Sequence, residues 1–104
     1  MPALASAQYL REHYVSGGIL IDDTNPQVIF EAQIPVRDYV GAFSGDLWSE
    51  AIMSPTDHVK WVVIRPNDSA DRVGAVLRDS SSFQRQYALL FSDNSYSIYR
   101  LIEQ

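Results

Sequence analysis

Gly17-Gly18-Ile19-Leu20-Ile21-Asp22-Asp23-Thr24 is the stretch on which the reading of this chain turns. Glycine tolerates the left-handed backbone common just past a helix C-terminus, so the Gly17-Gly18 pair ends a preceding helix. Ile19–Ile21 then make a short strand, apolar at consecutive positions and so expected to be covered on both faces. Asp22-Asp23 follow where the strand runs out. Open α/β sheets bind ligands just outside the carboxyl ends of their strands, which makes Asp22 and Asp23 the first candidates for a metal or catalytic site.

Upstream, Leu4, Ala7, Leu10 and Tyr14 recur at three- and four-residue spacing and predict an amphipathic helix over Ala3–Val15. Downstream, Asn25-Pro26 has the form of a helix start for a short helix Gln27–Gln33, ended by Pro35, although Val28-Ile29 leaves a strand open there. Val36–Val40 reads as a second strand and Gly41–Gly45 as a loop. Asp46–Met53 is a short helix with Leu47, Trp48, Ala51 and Ile52 inward, stopped at Ser54-Pro55. His58–Arg65 carries the strongest strand signal, Trp61-Val62-Val63-Ile64, closed by Pro66. Asp68 or Ser69 caps a helix Ala70–Arg78 with Val73, Val76 and Leu77 buried, and Ser80–Ser82 reads as a polar loop. Tyr87–Phe91 and Tyr96–Leu101 form a hairpin around Asp93-Asn94-Ser95, and the alternation in its second strand suggests one wet and one packed face.

This alternation of helices and strands predicts an α/β fold with a mostly parallel sheet and a C-terminal antiparallel hairpin. The 104 residues suffice for one modest core, so residues 1–104 are read as a single α/β domain. Apolar content of 46% and charged content of 20% are ordinary for a globular chain and argue against disorder. A formal charge of −5 with scattered basic residues argues against nucleic acid and against anionic lipid head groups as electrostatic partners. With no cysteine, disulfides and thiolate metal sites are excluded while the compartment stays open. No apolar run is long enough to span a bilayer, and the N-terminus lacks the layout of a signal peptide. A chain that begins almost directly in a helix suits a domain excised from a longer one.

Paired carboxylates at a strand end are the oxygen ligands a hard cation such as Mg²⁺ requires, which is the case for Asp22 and Asp23. ILIDD resembles the acidic pair of response-regulator receiver domains, but the other parts of a receiver site are missing. The Trp61–Arg65 strand ends in Arg-Pro rather than in the phosphorylatable Asp, and no lysine follows Lys60. Asp22, Asp23 and Thr24 are therefore read as a solvated turn capping the next helix, where negative charge is favoured. His13 and His58 have no metal-ligand partners at suitable spacing. Ser80-Ser81-Ser82 lacks the glycine-flanked turn of a nucleophile. Gly17-Gly18 precede a strand, whereas a phosphate loop follows one and opens a helix. Trp48 and Trp61 are read as core, and Tyr87, Tyr96 and Tyr99 as cross-strand packing or, if exposed, as a contact surface.

Several segments together carry a family resemblance. They are ILIDDT, VIFEAQIPVRDYV, LWSEAIMSPTDHVKWVVI, DSADRVGAVL, FQRQYALLF and SIYRL, which run nearly end to end. In this order the chain resembles the soluble C-terminal extracytoplasmic domain of some bacterial polytopic membrane glycosyltransferases, of the protein mannosyltransferase and aminoarabinose transferase class. The resemblance implies a parent enzyme that transfers a sugar from a polyprenyl-phosphate donor, with its catalytic carboxylates in the transmembrane part. It implies no catalytic residue, metal or cofactor in this chain. Its partners would be the transmembrane part of the same polypeptide and, as a further candidate, a glycan or lipid-linked acceptor, at the extracytoplasmic face of the cell membrane. Two alternatives stand beside it: a free-standing α/β interaction or ligand-binding module, and a small Mg²⁺-dependent phosphotransfer or hydrolase domain using Asp22 and Asp23.

Overall fold

The computed structural model describes residues 5–21, 32–41, 46–65, 72–77, 80–92 and 96–102. Helix α1 (Ala5–His13) leads through Gly17 and Gly18, both at positive φ, into strand β1 (Ile19–Leu20). A 3₁₀ turn over Val36–Asp38 precedes β2 (Tyr39–Val40). Helix α2 (Asp46–Met53) and a second 3₁₀ turn (Pro55–Asp57) lead to β3 (Trp61–Ile64). Helices α3 (Arg72–Leu77) and α4 (Ser81–Gln86) follow, then β4 (Tyr87–Ser92) and β5 (Ser97–Leu101).

The strands form one five-stranded sheet in the order β2-β1-β3-β5-β4. β1 sits between two parallel neighbours: Ile19 is in register with Tyr39 and Trp61, Leu20 with Val40 and Val62. The sheet is mixed rather than mostly parallel. β3 pairs antiparallel with β5 from Trp61↔Arg100 to Ile64↔Ser97, and β5 pairs antiparallel with β4. The difference has a simple origin. The hairpin does not merely edge a finished parallel sheet; its second strand docks directly on β3, and these longer ladders outweigh the two-residue parallel ones.

Helices cover both faces. On one, Ala7 and Leu10 of α1 pack on Ile19, Ile21, Tyr39, Trp61, Val63 and Ile98. On the other, Ala51 of α2, Val73 and Leu77 of α3 and Phe83 of α4 pack on Leu20, Val40, Val62 and Ile64. Successive strand residues point to opposite faces, so Ile19 and Leu20 serve different cores, and the four residues of β3 are all buried. This is the physical content of the uninterrupted apolar runs ILI and WVVI.

Several expectations are corrected. Val36–Val40 is not one strand: Asp38 N–H donates to the Pro35 carbonyl at 2.9 Å, winding the first three residues into a 3₁₀ turn. Ser80–Ser82 is not a loop. Ser80 is the N-cap of α4, its Oγ accepting from Phe83 N–H at 3.3 Å. Leu47 and Val76 are exposed, because Trp48, Ala51 and Ile52 on α2 and Val73 and Leu77 on α3 already complete the inward stripes. β5 does not have a wet face; it is an interior strand, with Ile98 in one core and Tyr99 and Leu101 against the other. Tyr87 and Tyr96 are buried, Tyr99 is half-buried, and Trp61 is core whereas Trp48 is only half-buried. The helix expected at Gln27–Gln33 lies outside the described residues except for Ala32 and Gln33, which form a turn. The Asn25-Pro26 start, the Asp68 or Ser69 cap and the Asp93-Asn94-Ser95 turn also lie outside them.

Candidate functional site

Three chain segments meet below α1. Tyr9 and His13, one helical turn apart, stand on the side of α1 that faces β4; their rings lie 4.2 Å apart, and Tyr9 also meets Phe91 at 5.3 Å. After α1 the chain turns through Ser16, Gly17 and Gly18. Lys60 N–H donates to the Gly17 carbonyl and Trp61 N–H to the Gly18 carbonyl, each at 3.1 Å, which fastens this turn to the start of β3. Arg100, in register with Trp61, lays its guanidinium over the indole at 5.7 Å. On β4 the register shifts between Leu89 and Phe91, and Leu90 is the extra residue of that bulge.

The result is a cleft of about 440 Å³ lined by Tyr9, His13, Lys60, Trp61, Leu90 and Arg100 together with Val15 and Ser16. It lies at the amino end of β3, opposite the carboxyl end to which the sequence reading points. Lys60 is the one lysine of a chain of net charge −5. Among the described residues lining the cleft, none is acidic. Sequence reasoning singles out His13 but not Lys60 or Arg100. Each stands alone on its own element, and only the β3–β5 register brings them to one place.

Next to the cleft a polar tie holds α1 to the turn before β2. The Tyr14 hydroxyl donates to Asp38 Oδ2 at 3.0 Å and accepts from Gly18 N–H at 3.1 Å. Burial, with the Asp38 carboxylate beside it, raises the Tyr14 phenol above its ordinary value, against the lowering effect of the Gly18 bond. Tyr39 and Tyr87 are held well above the usual tyrosine range by burial. The Tyr87 hydroxyl donates to the Val59 carbonyl at 2.7 Å, whereas the buried Tyr39 hydroxyl has no hydrogen-bond partner among the described residues.

Asp22 and Asp23 lie outside the described residues. His58 is exposed, its backbone N–H closing the Pro55–Asp57 turn, and is not among the described residues that line the cleft. Among the described residues no group of three or more His, Cys, Asp or Glu gathers to hold a metal ion. Gly17 and Gly18 lead into a strand and bond to β3, the structural role expected of them. A second groove of about 480 Å³ runs between α2, the Pro55–Asp57 turn, α3 and α4, with Met53 and Val76 exposed along it. No helix among the described residues is long and apolar enough to cross a membrane.

Compared with protein-family models, curated proteins and solved structures, the chain matches none.

Proposed function

We propose that this chain is a non-catalytic, extracytoplasmic accessory domain of a bacterial membrane-bound glycosyltransferase using a polyprenyl-phosphate sugar donor. The observation that carries the reading is where the resembling segments fall. LWSEAIMSPTDHVKWVVI spans α2, the Pro55–Asp57 turn and β3, and supplies the buried Ala51, Val59, Val62 and Ile64. Ile19 and Leu20 of ILIDDT form β1, FQRQYALLF runs from α4 into β4, and SIYRL is β5. A resemblance carried by packing positions is one of scaffold, and it suits a domain that positions an acceptor or seats against the membrane part while the chemistry proceeds elsewhere. The genomic reading frame tests this directly. Several hydrophobic spans encoded in frame upstream are expected; a complete frame of 104 codons with its own start and stop overturns the proposal.

A second reading, a free-standing α/β ligand-binding module, is favoured by the cleft between α1 and the sheet. The same reading frame separates the two.

A further inference from the structure

We draw no further inference here: the strongest candidate, the apolar groove between α2, the Pro55–Asp57 turn, α3 and α4 with Met53 and Val76 exposed along it, carries nothing because no observation in the structure shows what covers it.

Discussion

Gly17 and Lys60 share one space: a Cβ built on Gly17 would lie 2.7 Å from Lys60 Cγ and 2.8 Å from its Cβ. The Gly17 φ of +109° is also one that L side chains rarely adopt. Gly17→Ala is therefore expected to cost about 1–3 kcal/mol, from backbone strain and from pushing the lysine stem aside. Urea denaturation measures the loss. In a double-mutant cycle Lys60→Ala should relieve part of it, and strictly additive costs would show that the lysine is not what the glycine makes room for.

Tyr14 ties α1 to β2 through Asp38 while accepting from Gly18. Tyr14→Phe removes both bonds and leaves the partly buried Asp38 carboxylate without that donor, for an expected loss of about 1–2 kcal/mol. Hydrogen exchange at Gly18 should quicken in the variant. An unchanged midpoint and unchanged exchange would contradict the tie.

Burial raises Tyr39 and Tyr87, and raises Tyr14 as well. A phenol that holds its proton more tightly folded than unfolded contributes stability that is whole below about pH 10 and lost as pH rises through its folded value. The urea midpoint is therefore expected to be flat with respect to these groups from neutral pH to about 9 and to fall above about 10. Tyr39→Phe should flatten that alkaline fall. Because the Tyr39 hydroxyl has no partner among the described residues, the same variant is expected to be neutral or more stable by about 1 kcal/mol near pH 7. A loss of stability there would contradict this.

Tyr87 and Ser80 offer a paired comparison on the other face of the sheet. Tyr87→Phe strands the Val59 carbonyl in the core and should cost about 1–3 kcal/mol. Ser80→Ala removes the cap of a short helix and should cost about 1 kcal/mol. Chemical denaturation of both variants checks the order, and a more damaging Ser80→Ala would reverse it.

For Asp22 and Asp23 the expected outcome is the turn-and-cap role. Millimolar Mg²⁺ or Mn²⁺ should cause no selective change at their amide resonances. A saturable change confined to those two residues would restore the metal reading.

The elements most legible in the sequence are those whose pattern is local. Asp46–Met53 is read with its observed bounds because Trp48, Ala51 and Ile52 keep helical spacing and Pro55 stops them. β1 and β3 are legible because a short apolar run rich in β-branched residues between turn residues reads as a strand buried on both sides. α4 is missed because three serines resemble a loop; the usable signal is Phe83 and Tyr87, four residues apart, behind a serine able to cap. Local pattern says nothing of strand order either, so the antiparallel share of the sheet is underestimated.

The sequence by itself determined that the chain combines helices and strands in an α/β fold, that Gly17-Gly18 hand the chain from α1 to the sheet, and that β1 and β3 are covered on both faces. These follow from hydrophobic period and from the backbone freedom of glycine, properties of a few adjacent residues. Only the tertiary structure decided that β5 lies between β3 and β4, and so that Arg100 stands over Trp61 beside Lys60 and His13. Residues 13, 60 and 100 are far apart in the chain, and register and helix docking alone bring them together. The glycine pair first notable for the aspartates that follow it thus matters most for the lysine packed against it.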